Sequence, residues 1–173
     1  MGHNNLNPQI IVLKKNKRGR ILVLLVKRSD TLVWTLPGGR RESDESIQAT
    51  AIREVKEETG FDVDIVKNLG IYTLPKLKVL GRVFIFIGRV VGGYAQISDE
   101  TVKVKWFNAN HLPYTLLPFH RQRIKDAILG KKNVQIRQNY TRGAIILHYI
   151  ITPWILLKII KFFKMISTRA KKE

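Results

Sequence analysis

Residues 39–61, GRRESDESIQATAIREVKEETGF, contain the feature that most restricts how this chain can fold. The chain carries a formal net charge of +18, yet six of its thirteen acidic residues lie in this short segment: Glu42, Asp44, Glu45, Glu54, Glu57 and Glu58. A Pro-Gly-Gly break at residues 37–39 precedes it. Ser43 as N-cap and Gly60 as C-terminal stop predict a helix over about residues 44–59.

Short runs of β-branched and apolar residues on both sides of this helix predict strands. They cover residues 10–15, 21–28, 34–36, 61–66, 69–74, 79–91 and 101–107. A loop and a closing helix are expected over 111–130. Strands flanked by two helices predict one layered α/β domain over residues 1–130. A basic linker over 131–142 and a hydrophobic, basic tail over 143–173 are expected to follow.

Composition restricts the chemistry and the expected location. The chain contains no cysteine, which excludes disulfides, thiolate metal sites and cysteine nucleophiles. The N-terminus lacks the charged start and apolar core of a secretory signal, and Leu6 occupies the position where a myristoylation motif has Ser or Thr. We therefore expect the main domain to be cytoplasmic.

The positive charge is much denser in the last quarter of the chain. Residues 131–173 carry ten basic side chains and one acidic side chain, whereas residues 1–130 carry 21 basic and 12 acidic side chains. Such an excess favours polyanionic partners, whether nucleotides, nucleic acid or anionic lipid headgroups. Nucleic acid has no supporting motif in this sequence.

Glu54, Glu57 and Glu58 are spaced three and four residues apart, so a helix places them on one face within about one turn. Two interpretations are open for such a cluster. It is either a solvated face on which Arg53 and Lys56 offset the repulsion, or a site for a hard divalent cation such as Mg²⁺ or Mn²⁺, which prefers oxygen ligands.

The whole segment follows a known pattern: Gly, five residues, Glu, seven residues, then Arg-Glu-apolar-any-Glu-Glu-any-Gly-apolar. The matching residues are Gly39, Glu45, Arg53, Glu54, Val55, Glu57, Glu58, Gly60 and Phe61. This pattern is the Nudix box, and the chain resembles the Nudix hydrolases over about residues 8–130.

That resemblance implies an α/β/α sandwich around a mixed sheet, and hydrolysis of a pyrophosphate bond in a nucleoside diphosphate linked to another group, with Mg²⁺ or Mn²⁺. By position, the implied metal ligands are Glu54, Glu57, Glu58 and the carbonyl of Gly39. Glu45 and Arg53 are the implied pair that braces the loop and helix.

The resemblance leaves the general base open between a glutamate of the box and an acid on a later loop. Asp99 and Glu100 precede the KWF strand and are the candidates there, although a solvated turn before the strand is the more ordinary explanation of this pair. Many relatives carry an acid where this chain has Lys103. We include Glu100 with Glu45, Arg53, Glu54 and Glu57 in the predicted catalytic set.

Other side chains are candidates for binding substrate. Lys27 and Arg28 end a strand near the expected mouth of the cleft, and Arg40 and Arg41 flank the metal loop, so all four could contact phosphates. Trp34 could stack on a base or pack in the core, and His120 is expected at the surface or as a capping residue. Two other functions stay open: a Nudix-fold module that binds a nucleotide without turnover, and an RNA-end pyrophosphohydrolase.

A membrane span is the less favoured interpretation of the tail, because only fifteen residues lie between Arg142 and Lys158 and polar residues and Pro153 interrupt them. Over 154–166 a helical projection separates two faces. Lysines 158, 161 and 164 lie on one, and the other consists of Ile155, Leu156, Ile159, Ile160, Phe162, Phe163 and Ile166. This pattern predicts association with an anionic membrane surface, at the inner face of a membrane. The alternative is packing of the apolar face on the domain or in a dimer.

Overall fold

The computed structural model describes residues 6–77, 81–150 and 153–169, apart from the side chains of residues 162, 163 and 165–169. Within these ranges the chain forms strands and helices in the following order. They are β1 (Leu6–Lys15), β2 (Ile21–Arg28), β3 (Trp34–Thr35), α1 (Ile47–Thr59), β4 (Phe61–Thr73), β5 (Arg82–Gly93), β6 (Thr101–Asn108), α2 (Pro118–Ile128), β7 (Val134–Arg137), α3 (Arg142–His148) and α4 (Pro153–Arg169).

The strands form a mixed sheet in the order β3-β2-β1-β5-β4-β7, and β6 pairs with β2 outside this path. β1 runs parallel to β5, and β4 runs parallel to β7, while the β1–β2, β2–β3, β2–β6 and β4–β5 pairs are antiparallel. Antiparallel pairing of β2 with β6 sets Arg28 opposite Thr101, so the end of β2 meets the start of β6. This junction lies beside the candidate site.

Successive side chains of the central strands point to opposite faces of the sheet, so apolar strands produce two apolar layers, one on each face. In β1, Ile10 and Val12 pack with Ala51 and Val55 of α1, whereas Ile11 packs on the opposite face in a core that includes Ile124 of α2. A helix therefore covers each face. The predicted α/β sandwich around a mixed sheet is confirmed.

The helix α1 begins three residues later than the sequence predicted. Ser46, and not Ser43, is its N-cap, because the Ser46 hydroxyl oxygen accepts a hydrogen bond from the Ala49 N–H at 3.0 Å. Ser43 is exposed, and its hydroxyl lies 3.5 Å from Asp44. The predicted stop at Gly60 is correct, since this residue adopts the left-handed conformation with φ of 76°.

The two strands predicted over 61–66 and 69–74 are one long strand, β4. Its pairing with β5 shifts register at three points, the last between Asn68 and Gly70, and such bulges interrupt the alternation on which the sequence prediction depended. Of the strand predicted over 79–91, residues 79 and 80 lie outside the described residues, and β5 covers 82–93.

Residues 134–137, within the segment expected as a linker, form β7 against β4. Gly70 makes this pairing possible, because a Cβ at its φ of 139° would collide with the backbone of Val134.

The tail forms α3 and α4, and both contact the domain. Ile145, Tyr149 and Ile159 are buried in a cluster with Val33, Leu74, Leu77 and Phe119, and Ile155 and Leu156 pack against its edge. The sequence predicted that these residues of α4 meet a membrane. Instead they pack on the domain, which was the alternative interpretation. The side chains of Phe162, Phe163 and Ile166 lie outside the described residues. In the described ranges we find no helix with the length and apolarity needed to cross a bilayer.

Candidate active site

The loop before α1 lies against the central strand β1. The Ile10 N–H donates to the Pro37 carbonyl at 3.1 Å, and Gly38 forms an isolated bridge with Gln9. Gly38 has a φ of 141°, and a Cβ there would collide with the backbone of Pro8 and Gln9. Only glycine fits this position, which fixes the loop against the sheet and next to the helix.

Arg53 is the centre of an ion-pair network that ties this loop to α1. Its Nε and Nη2 donate to the two carboxylate oxygens of Glu45 at 2.7 and 3.0 Å, and its Nη2 reaches the Arg40 carbonyl at 3.3 Å. The Thr50 hydroxyl donates to Glu45 at 2.9 Å. The bidentate contact with Arg53, helped by Thr50, lowers the pKa of Glu45 to about 2.

The same guanidinium also reaches two glutamates of the predicted metal cluster. Its Nη1 lies 2.8 Å from Glu57 Oε2 and 3.1 Å from Glu54 Oε1. Lys56, which the sequence offered as a second compensating charge, instead pairs with Asp62 at 2.8 Å. Arg53 therefore offsets the repulsion of the acidic face, and Lys56 does not contribute an ion pair to it.

Glu58 is the buried member of the cluster, with 6% of its surface exposed. The Gly38 N–H donates to its Oε2 at 2.9 Å. Burial raises the pKa of Glu58 to about 8 despite this hydrogen bond, and the charges of Glu54 and Glu100 act in the same direction, whereas Arg28 opposes them. A buried carboxylate beside other carboxylates is a position where a cation would be stabilised.

Glu54 lies directly beside Gly39, because a Cβ at Gly39 would overlap the Glu54 carboxylate. The absence of a side chain at Gly39 therefore lets the Glu54 carboxylate approach the backbone closely. Burial raises the pKa of Glu54 against the opposing charge of Arg53, and the charges of Glu57 and Glu100 add to the increase.

The junction of β2 and β6 contributes the opposite side of the site. The Ser29 N–H donates to the Glu100 carbonyl at 2.9 Å, and the charge of Glu100 acts on both Glu54 and Glu58. Asp99 is exposed, and Glu100 is the later-loop acid whose charge acts on these two glutamates most strongly. The fold thus brings the charge of Glu100 to bear on the cluster.

Arg28 lies at the same junction and is held in place by Asp30. Its Nε and Nη2 donate to the two Asp30 carboxylate oxygens at 2.9 and 2.6 Å, and the Thr31 hydroxyl donates to Asp30 at 3.0 Å. The hydrogen bonds to Asp30 raise the pKa of Arg28 against the effect of burial, and the charges of Glu58 and Glu100 add to the increase. A permanent cation therefore faces the acidic cluster.

The other candidates for substrate contact lie in different environments. Trp34 is 7% exposed, and its ring packs edge-on to Phe107 with centroids 4.8 Å apart, which leaves the packing role. Lys27 is half-buried on β2, opposite Trp34 and Lys103 in register. Arg40 and Arg41 are exposed, and Arg40 contributes its carbonyl to the Arg53 network.

The predicted surface position of His120 is wrong. This residue is 1% exposed, and its Nε2 lies 2.9 Å from the Thr35 hydroxyl. Burial first, and the neighbouring charge of Arg123 second, hold its pKa well below 6.5. Pro118, Phe119 and His120 form the first turn of α2, and all three are buried.

Across the described part of the chain, no three acidic or histidine side chains stand close enough together to form a ready-made metal site. The donors nevertheless fit a hard divalent cation in type, since the cluster offers carboxylate oxygens and the tight space beside Gly39. Their present geometry is set by Arg53, which takes an oxygen of Glu54 and of Glu57.

A model of the NUDIX domain matches residues 6–127, most of the described domain. The chain belongs to the Nudix family. This confirms the resemblance indicated by the Nudix box at residues 39–61, and the chain is a Nudix pyrophosphohydrolase.

Two Nudix relatives match this chain over most of their own length. A Bacillus subtilis protein named "Putative 8-oxo-dGTP diphosphatase" is 34% identical over 128 residues, which is 73% of this chain and 82% of that protein. An "ADP-ribose pyrophosphatase" of Methanocaldococcus jannaschii is 34% identical over 126 residues, 70% of this chain and 71% of that protein.

Solved structures agree on the fold. The crystal structure of an ADP-ribose pyrophosphatase from Streptococcus suis has a TM-score of 0.60 at 26% identity, covering 77% of this chain and 98% of that chain. A NUDIX hydrolase from Nitrosomonas europaea has a TM-score of 0.63 at 20% identity, covering 80% and 82%.

Sequence reasoning missed several groups of this Nudix site. Asp30 and Thr50 hold Arg28 and Glu45, and the Gly38 N–H holds Glu58. Thr50 could have been found, because it lies three residues before Arg53 on the same helical face. The pairing of Asp30 with Arg28 depends on the turn between β2 and β3, which the sequence does not specify.

Proposed function

We propose that this Nudix enzyme hydrolyses a pyrophosphate bond in a nucleoside diphosphate linked to another group, with Mg²⁺ or Mn²⁺ as cofactor. The observation that carries the proposal is the position of Glu54 and Glu58 of α1 beside the loop glycines 38 and 39, where the charge of Glu100, just before β6, acts on both carboxyl groups. Carboxylates gathered at a tight glycine loop suit a cation that also holds phosphate oxygens.

The residues that would hold the cation are Glu54, Glu57, Glu58 and the Gly39 carbonyl. Arg53 would keep Glu54 and Glu57 oriented from behind, since its other edge is fixed by Glu45. When bound, the divalent cation neutralises phosphate oxygens and lowers the pKa of the attacking water. The geometry supports this set because one arginine ties the loop to both helical carboxylates.

Two acids could accept the proton from that water. The side chain of Glu57 is 56% exposed, against 15% for Glu54, and Glu100 is exposed on the opposite side of the site. A Glu100→Gln variant distinguishes whether Glu57 or Glu100 accepts this proton. Loss of kcat with unchanged Mn²⁺ affinity would assign the base to Glu100, whereas unchanged kcat would assign it to the box.

Arg28 would bind a phosphate of the substrate. Its bidentate contact with Asp30 fixes the guanidinium at the end of β2, where the charges of Glu58 and Glu100 act on it. An oriented arginine recognises phosphate oxygens better than a flexible lysine does, so Arg28 suits this role better than Lys27.

The test is a turnover assay of the full chain with Mg²⁺ or Mn²⁺ against ADP-ribose, 8-oxo-dGTP, dinucleoside polyphosphates and nucleotide sugars. The first two are the compounds in the relatives' names. We expect release of a nucleoside monophosphate from at least one, abolished by EDTA and by Glu57→Gln. Tight binding without turnover across the panel would overturn the proposal.

A further inference from the structure

α4 has two opposite faces, and the domain covers only one of them. Ile159 is 3% exposed in the cluster with Val33 and Phe119. The outer face of α4, defined as Trp154, Leu157, Lys161 and Lys164, points away from it and is exposed. At about 100° per residue, these four positions fall on the side of the helix opposite Ile159.

The outer face is unusually apolar in its first turns. Trp154 is 81% exposed and Leu157 is 55% exposed, and the end of the preceding helical segment leaves Leu147 and Ile150 exposed at 66% and 57%. Single exposed apolar residues are ordinary, but a tryptophan with so little cover and three further large apolar residues within eleven positions indicate an interaction surface.

The charge of the surrounding segment selects the kind of partner. Residues 143–173 carry six basic side chains and one acidic side chain, and exposed Lys161 and Lys164 directly follow the apolar turns of the outer face. A tryptophan prefers the boundary between headgroups and acyl chains, and lysines at the same depth attract anionic headgroups. A partner protein would need a matching acidic rim around an apolar pocket, whereas an anionic bilayer offers both features over any area.

We propose that the outer face of α4 docks on an anionic lipid bilayer, with Trp154 and Leu157 at the headgroup boundary and Lys161 in the headgroup layer. The domain stays on the aqueous side, attached through the opposite face at Ile159. This arrangement differs from the sequence prediction, which directed Ile155 and Ile159 toward the membrane. Membrane binding thus needs no release of α4 from the domain.

The experiment is co-sedimentation of the full chain with phosphatidylcholine vesicles, with and without phosphatidylserine, at low and high salt. We expect binding only with phosphatidylserine and weakening by salt. Trp154→Ala should weaken binding by about tenfold through lost apolar contact, and Lys161→Gln by about fivefold. Unchanged thermal melting and unchanged turnover would show that each variant is folded.

Matched controls lie far from α4 in the sequence. Tyr94→Ala removes another exposed aromatic ring, 71% exposed, and Lys17→Gln removes an exposed lysine in the β1–β2 turn. Neither should change binding by more than about twofold. Equal losses in Tyr94→Ala and Trp154→Ala, or equal binding to vesicles without phosphatidylserine, would overturn the proposal. Self-association lost in Trp154→Ala without vesicle binding would also overturn it, and would assign the face to a second copy.

Discussion

α1 and α2 cover opposite faces of the sheet, and each buries a charged side chain that forms no ion pair among the described residues. Glu58 of α1 is 6% exposed and Arg123 of α2 is 0% exposed. Burying a charge is costly unless other groups compensate for it. The two helices differ in where that compensation comes from.

Arg123 is compensated mainly within the fold, although its Nη2 is buried without a hydrogen-bond partner among the described residues. Its Nε and Nη1 donate to the side-chain carbonyls of Gln138 and Gln9 at 3.0 Å each, and its guanidinium lies 4.9 and 5.4 Å from the ring centroids of Phe119 and Tyr72. Glu58 accepts one hydrogen bond, from Gly38, and its carboxylate neighbours add charge of the same sign. A buried charge whose polar partners are neutral groups is structural, whereas Glu58, with two carboxylate neighbours opposed only by Arg28, marks a site for a ligand cation.

The largest expected effect tests whether Glu57 takes part in the reaction, as a metal ligand or as the base. Glu57→Gln should reduce kcat by about 10³-fold, the scale of losing an electrostatic or acid–base contribution to the transition state. Glu42→Gln is the matched control, since Glu42 is exposed in the same segment and outside the network of Arg53. Steady-state kinetics with saturating Mg²⁺ measure both. A loss shared by both variants would contradict a specific role for Glu57.

The second prediction concerns the structural charge. Arg123→Met should lower the free energy of unfolding by about 2 kcal/mol, because the buried amide oxygen of Gln138 and the half-buried amide oxygen of Gln9 lose their donors. Urea denaturation measures this. Arg121→Met serves as control on the same helix, where the guanidinium reaches the Pro113 carbonyl from a half-buried position and should contribute less than about 1 kcal/mol. An Arg123→Met variant as stable as wild type would contradict a stabilising role for the buried charge of α2.

Glu58→Gln should act in the opposite direction on stability. Without added divalent cation, and above about pH 8 where Glu58 is ionised in the folded protein, removing the buried negative charge should raise the free energy of unfolding by about 1 to 2 kcal/mol, since the amide oxygen still accepts from Gly38. Turnover should be lost at the same time. Glu57→Gln, whose side chain is 56% exposed, should leave stability almost unchanged. Destabilisation by Glu58→Gln would show that its carboxylate is already compensated.

The smallest expected effect is a change in the pH dependence of stability in a His120 variant. Burial keeps the pKa of His120 well below 6.5 in the folded protein, so below about pH 6.5 the unfolded chain binds one more proton than the folded chain. Stability therefore falls as the pH falls through this range. His120→Gln should make that decline shallower by about 1 kcal/mol per pH unit. Urea midpoints at several pH values measure the slope, and identical slopes in both proteins would contradict burial of neutral His120.

Local patterns predict much of this molecule. Alternation identified the central strands, Gly60 ended α1 as expected, and the spacing of the box glutamates placed them on one face. Even the burial of Glu58 follows from the helical period, since it continues the buried stripe of Ala51 and Val55.

The remaining features depend on contacts between distant parts of the chain. Whether Asp99 or Glu100 faces the site is decided by the register of β6 against β2, which aligns Thr101 with Arg28. The tail shows the same limit, because an amphipathic pattern predicts two faces of α4 but not which surface covers each. That Ile159 packs beside Val33 could be learned only from the three-dimensional structure.

Mn²⁺ binding is the most direct test of the central claim, that the carboxylates of α1 hold the catalytic cation. Electron paramagnetic resonance of Mn²⁺ titrated with the full chain should show saturable loss of the free-ion signal. That loss should be weakened at least about tenfold by Glu54→Gln and by Glu58→Gln, and unchanged by Glu42→Gln. Mn²⁺ binding that is equally strong in all three variants would place the cation elsewhere and contradict the account.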